Sequence, residues 1–414
     1  MLRSLGGIGR ILATTWPALL AWYLGGTVVR IGIIEFSGSI GAENPLAALL
    51  LMPIAALARL VSYVGMFLVV RRGMHTYREI AAGDIDFTSL RDAAGEFLRV
   101  LLASIIPFFT LYALLGLLAE DLSDYAQSAF RQSFTGPGQF LNVGDGPIVA
   151  IVIAVALSGR ILLKIFGSRL PRWLGVVEVY LEATWIFIAL TGITALFGDA
   201  IRWIEGRQIV RWFEDARERL LSLGDSVRWV LSQVDWLLPV LLQLLVLPLF
   251  WLLIAGIVYT RALANIDDGV VVPERIAAAA RTGFARLPTI IRRQSYLLTD
   301  EWDDVGSPFT QSGKLIARAG AIGIGVFLCA YALLFAATRW SEYLIYRAIG
   351  PHDPWFWGAV NPLLDAALTA VSEPLRVVLL AAAFDWCLTR WQERRKLGDA
   401  GASVPHDVVL ESDA

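Results

Sequence analysis

Five ionisable side chains, Arg59, Glu178, Glu182, Glu373 and Arg376, stand inside long apolar runs of this chain, and they are where chemistry is first to be sought. A charge at the centre of a membrane helix costs about 2.5–3.5 kcal/mol on insertion scales, so such a group serves a pathway, a proton relay or an ion pair. Glu178 and Glu182 are four residues apart and share a helix face. Glu373 and Arg376 are three apart around Pro374, close enough to pair locally. Two arginines and three glutamates can neutralise one another across a bundle. We expect Arg59 and Arg376 to line one polar interior with Glu182 and Glu373. There they would bind an anionic headgroup or relay protons, with the helix opened at Pro374. The competing expectation is structural: interhelical ion pairs that fix the packing, or side chains that reach to an interface. Arg30, Glu35, Asp365 and Asp385 lie nearer the ends of apolar runs, where reaching to the interface is the default.

Other chemistries find little support. His75, His352 and His406 are scattered over two connecting segments and the tail, so no pair has metal-ligand spacing and no Ser-His-acid set can be drawn. Cys329 and Cys387 both fall in apolar runs and read as packed or lipid-facing thiols, not as a disulfide framework or a metal site. Gly6-Gly7-Ile8-Gly9 lacks the preceding strand and the Lys-Ser/Thr of a phosphate loop. Asp300, Glu301, Asp303 and Asp304, with Asp267 and Asp268 at the far end of the same segment, could hold Mg²⁺ for a phosphorylated lipid. That spacing fits no aspartate-rich motif, and a solvated acidic run is the simpler reading. The expectation is therefore a non-enzymatic protein without cofactor, and nothing resembles a nucleic-acid module.

The elements that position these groups follow from hydropathy. Residues are 57% hydrophobic and 17% charged, and the mean hydropathy is +0.61, well outside the range of a soluble protein this size. Crossing about 30 Å of hydrocarbon takes roughly 20 apolar residues, and within one segment only a helix satisfies every backbone group. Eight such stretches are present, near 11–34, 46–70, 97–118, 147–166, 174–197, 237–263, 315–338 and 363–388. The fourth is the weakest, interrupted at its end by Arg160 and Lys164. The expected fold is all-α: a polytopic membrane helical bundle of about eight transmembrane helices in four hairpins, with amphipathic interfacial helices added. Ser89 and Asp92 mark a helix start and a short elbow before the third span.

Three of the four return helices of the hairpins open at proline, and the third hairpin has Pro239 a little further in. Pro45, Pro147 and Pro362 stand where the missing N–H costs nothing. Asn44-Pro45-Leu46 and Asn361-Pro362-Leu363 are each followed by an arginine at the same offset, Arg59 and Arg376, which would fit a duplicated hairpin. Small residues, Gly25, Gly26 and Gly32 in the first span and Gly320, Gly323 and Gly325 in the seventh, would let neighbouring backbones approach.

Orientation follows from the basic residues. With the N-terminus inside, the inner segments hold 20 Lys and Arg and the outer ones nine, six of these between Asp199 and Asp235. Both termini are expected in the cytoplasm and the chain in the cytoplasmic (inner) membrane. Arg3 and Arg10 precede the first apolar run without a small-residue cleavage site, so that run reads as an uncleaved span.

Three further segments are patterned. Residues 199–235 place Ile204, Trp212, Leu220, Val227 and Leu231 at helical spacing with charges between, an outer amphipathic helix or two broken near Gly224. The inner basic segment 265–313 sets Arg281, Arg286, Arg292 and Arg293 beside Ile276, Phe284 and Ile291, a pattern that lies on anionic lipid headgroups. Residues 119–146, with Gly136-Pro137-Gly138, read as an exposed loop, and the tail 398–414 as disordered. Trp340, Tyr343, Tyr346, Trp355, Phe356 and Trp357 suit a membrane interface. The partners expected are membrane lipids, together with a membrane or cytoplasmic protein. With no large soluble domain, two functions compete: transport of an amphiphilic or anionic molecule through a polar interior, and a scaffold or assembly subunit of a larger complex.

Overall fold

The computed structural model describes residues 2–41, 43–80, 90–133, 146–166, 174–205, 212, 225–263, 312, 313, 316 and 320–402. Among these, the regular elements are helices. They are α1 (Leu2–Gly41), α2 (Pro45–Val70), α3 (His75–Ile80), α4 (Leu90–Leu114), α5 (Leu117–Ser133), α6 (Gly146–Phe166), α7 (Leu174–Glu205), α8 (Asp225–Leu241), α9 (Leu247–Leu263), α10 (Ala321–Ile349) and α11 (Pro354–Ala402). A single 3₁₀ turn, Arg71–Gly73, joins α2 to α3, and a π turn, Leu242–Val246, joins α8 to α9.

Among the described residues, six helical stretches are long and apolar enough to cross a membrane: Leu12–Gly41, Pro45–Gly73, Ala93–Leu114, Leu174–Gly192, Ala321–Ile349 and Pro354–Glu393. Two shorter apolar stretches, Ile151–Leu163 and Leu244–Thr260, stand where the fourth and sixth spans are expected. The chain is thus an all-α, multi-pass membrane protein. Outward-facing Ile322, Leu333 and Leu363, each more than two-thirds exposed, fit lipid contact far better than water contact.

Helix starts correct part of the proline reading. Asn44 Oδ1 accepts the N–H of Ala47 at 3.0 Å, which caps α2 with Pro45 in the first helical position. The corresponding cap on the last helix is Asp353, whose Oδ1 accepts the N–H of Phe356 at 2.8 Å, and Pro354 is the residue that opens it. Pro362 lies inside α11, so the Asn361-Pro362 match does not mark a helix start. The capping carboxylate satisfies an orphan N–H two turns earlier, and the helix continues from there. It also runs through Pro374, which does not open it, and on to Ala402, into the first residues of the expected tail.

The described residues divide into two compact units. One comprises Met1–Leu20, Met66–Leu90 and Trp251–Ala414, the other Ala21–Gly65 and Arg91–Phe250. In the first, α10 and α11 form a hairpin, and Gly323 lets α10 lie against the Trp386 ring, which would occupy the space of any β-carbon there. Of the other glycines expected at contacts, Gly26 abuts Ser62, whereas Gly25, Gly32, Gly320 and Gly325 face open space. Tyr259 centres an aromatic cluster with Phe67 at 5.7 Å, Tyr77 at 5.8 Å and Phe384 at 5.2 Å between centroids. The short helix α3 is fastened to α11 by polar contacts. Tyr77 N–H donates to Asp385 Oδ1 at 3.0 Å, and the Thr76 and Thr389 hydroxyls meet at 2.7 Å. Asp385 thus satisfies an orphan donor at the start of α3 and does not reach to an interface.

In the second unit, α5 takes the place of the expected exposed loop over residues 117–133. Leu118, Asp121, Tyr125, Ser128 and Ala129 recur at helical spacing and are all buried. The pattern escapes a hydropathy reading because two members of the buried face are polar. Gly116, with φ of +74°, separates α4 from α5, a conformation that favours glycine. α5 then packs along the end of α1, where Gly38 meets Ser128 and Gly41 meets Tyr125. Most of the expected outer amphipathic segment, the inner basic segment with Arg281, Arg286, Arg292 and Arg293, the acidic run at 300–304, and the tail beyond 402 lie outside the described residues.

Candidate functional site

In the Ala21–Gly65 and Arg91–Phe250 unit, the hairpin of α6 and α7 brings two intramembrane charges together. Arg160 lies six residues before the end of α6 at Phe166, and Glu182 eight after the start of α7 at Leu174, so the two reach the same depth. Arg160 Nε and Glu182 Oε2 form an ion pair, and Trp185 Nε1 donates to the same oxygen at 3.2 Å. Glu182 is buried, and Arg160 is only partly exposed. Pairing offsets a large part of what either charge would cost alone. Glu178, one turn earlier, is half-buried and has no ion pair among the described residues. Arg160 is the partner that hydropathy disguised as a blemish in the fourth span; a similar distance from the facing ends of α6 and α7 is the signal that identifies it.

A second polar network in this unit joins four helices. Asp121 on α5 is wholly buried and accepts from Arg30 Nε of α1 at 2.8 Å, from Arg30 Nη2, and from the Tyr112 hydroxyl of α4. Arg30 also pairs with Asp124 at 3.0 Å. Arg59 on α2 is half-buried with its guanidinium 5.4 Å from the centre of the Tyr112 ring, a cation–π arrangement. Among the described residues no carboxylate stands within ion-pair distance of Arg59. Glu35, further along α1, accepts from Ser128 at 2.6 Å and from Arg131 at 2.7 Å. Arg30 and Glu35, expected to reach to the interface, instead find their partners on α5.

In the other unit, α10 and α11 enclose a groove of about 250 Å³. At one end lie Arg339, Glu342 and Asp365, and at the other Tyr331, Glu373 and Arg376, with Leu334, Phe335 and Leu368 between. Eight residues separate Asp365 from Glu373 on α11, roughly 12 Å along a helix. Glu373 Oε2 and Arg376 Nη2 form an ion pair one turn apart, near the middle of the apolar stretch Pro354–Glu393. The Arg376 guanidinium also lies 4.3 Å from the centre of the Trp251 ring of α9. Arg339 and Glu342 pair at 3.2 Å. The groove therefore combines apolar walls with charged ends and runs toward the centre of a membrane helix.

Of the five intramembrane charges singled out from sequence, Arg59, Glu178 and Glu182 lie in one unit and Glu373 and Arg376 in the other. Glu182 and Glu373 are each matched by an arginine within their own unit. Among the described residues no group of three or more His, Cys, Asp or Glu is arranged to hold a metal ion. The chain matches no protein-family model, no curated protein and no solved structure, so its sites are read from their own chemistry.

Proposed function

We propose that this multi-pass membrane protein is of transport type and handles an amphiphilic molecule, which it takes up in the groove between α10 and α11. The observation that carries the reading is the Glu373–Arg376 pair lining a cavity instead of being sealed in packing. A paired charge in the middle of an apolar helix is costly, and a cavity beside it gives up packing as well. Both costs are met together where a polar ligand must be received inside the membrane. Arg59 and Glu182 belong to supporting networks in this reading, and Arg376 and Glu373 to the pathway. We place both ends of the chain in the cytoplasm and the protein in the inner membrane on the distribution of Lys and Arg.

A scaffold role is favoured by one observation, the Arg160–Glu182 pair closed within the α6–α7 hairpin, which behaves as a packing device. The two readings part at the groove. In a variant with Cys329 and Cys387 replaced by serine, a cysteine at Ser372, which lines the groove, should react with a membrane-impermeant methanethiosulfonate, and bulk there should slow the reaction. If Ser372→Cys stays unreacted while Asp353→Cys in the exposed turn before α11 is labelled, the groove is dry and the transport reading fails. The same reagent tests orientation: Asp353→Cys should label from outside intact cells and His75→Cys should not.

A further inference from the structure

We infer that the α10–α11 groove binds a compact amphiphilic cation, with Asp365 as its counter-charge; this rests on the reading that the groove receives a ligand. Two guanidiniums and three carboxylates line the groove. Arg339 is matched by Glu342 at 3.2 Å and Arg376 by Glu373. Arg376 is held further by the Trp251 face at 4.3 Å, and Arg339 by the Phe335 ring at 5.5 Å. Asp365 is left over. Its side chain has no ion pair and no hydrogen bond among the described residues, and only its backbone carbonyl is engaged, accepting from Thr369 at 2.6 Å.

An anion entering this groove would meet one net negative charge and two arginines already committed. A cation would neutralise Asp365 without breaking either pair. The surroundings suit the rest of such a molecule: Tyr331, Leu334, Phe335 and Leu368 line the groove with apolar surface. A volume of about 250 Å³ gives room for an aryl- or alkylammonium. The class recognised is therefore a small lipophilic ammonium.

The test uses three probes of one size on the purified full-length protein in lipid nanodiscs: benzyltrimethylammonium, its neutral isostere neopentylbenzene, and phenylmethanesulfonate. Binding is read by calorimetry. The cation should bind saturably and at least about tenfold more tightly than either other probe, and Asp365→Asn should lower its affinity by at least about tenfold. Leu368→Trp, which fills the groove without touching a charge, should abolish binding, and it keeps the test open if Asp365→Asn does not fold. Preference for the sulfonate, equal binding of all three, or cation binding that survives both variants would overturn the inference. Reactivity of Ser372→Cys separates the two levels. A groove that reacts with the aqueous reagent but does not prefer the cation leaves the proposed function standing and removes only the ligand class.

Discussion

Replacing Asp121 is the sharpest probe of how this chain holds its helices together. The carboxylate is wholly buried and joins α5 to α1 through Arg30 and to α4 through the Tyr112 hydroxyl. Its partners Arg30 and Tyr112 stand toward the ends of the apolar stretches Leu12–Gly41 and Ala93–Leu114, and the magnitudes known for buried polar pairs set the scale. Asp121→Ala loses a charge-assisted bond to Arg30, about 1.5–3 kcal/mol, and leaves the Tyr112 hydroxyl without its acceptor, a further ~1–3 kcal/mol. The sum agrees with the 3–5 kcal/mol typical of breaking a buried pair. Arg30 keeps Asp124 at 3.0 Å, but that carboxylate is 42% exposed and contributes less, so about 3 kcal/mol of destabilisation is expected. Asp121→Asn, which still offers Tyr112 an acceptor, should cost about half as much. Stability can be read by steric trapping in bicelles, with Tyr112→Phe completing a double-mutant cycle. A loss under about 1 kcal/mol for Asp121→Ala, or additive effects of Asp121→Ala and Tyr112→Phe, would refute the network as a unit.

Gly323→Ala places a β-carbon in the space of the Trp386 ring and should destabilise the α10–α11 hairpin by about 1–3 kcal/mol, whereas Gly25→Ala, facing open space within a helix, should be neutral or stabilising in the same thermal unfolding assay. Tyr125 has a buried hydroxyl without a hydrogen-bond partner among the described residues, and burial pushes its phenol above the ordinary value near 10. The folded state then holds this proton more tightly than the unfolded one, so stability is intact below about pH 10 and falls as pH rises beyond it. Tyr125→Phe should flatten that fall, and a fall unchanged in the variant would show that other groups cause it.

Some of this architecture is local physics and was legible in the chain. Whether a stretch such as Pro45–Val70 or Ala321–Ile349 prefers hydrocarbon to water depends on its own composition, because the bilayer acts as a uniform solvent on each helix. The capping of α2 by Asn44 with Pro45 behind it is likewise a matter of four neighbouring residues. Segments of mixed pattern were less legible. α5 looks like a loop because Asp121 and Ser128 occupy its buried face, and their burial makes sense only with Arg30 and Glu35 opposite.

Charges show the division most plainly. That Arg59, Glu182, Glu373 and Arg376 are costly where they stand follows from sequence, since the cost is set by depth in an apolar helix. Which group offsets that cost does not, because an ion pair requires two side chains within a few ångströms, and that distance is fixed by how helices pack. Glu182 turns to Arg160 across a hairpin, Glu373 to Arg376 along its own helix, and Arg59 to the face of Tyr112. Asp365 is left without a partner by the same packing. The sequence determined which charges the membrane makes expensive; the tertiary structure decided which are satisfied, because partnership is a property of distance and not of order along the chain.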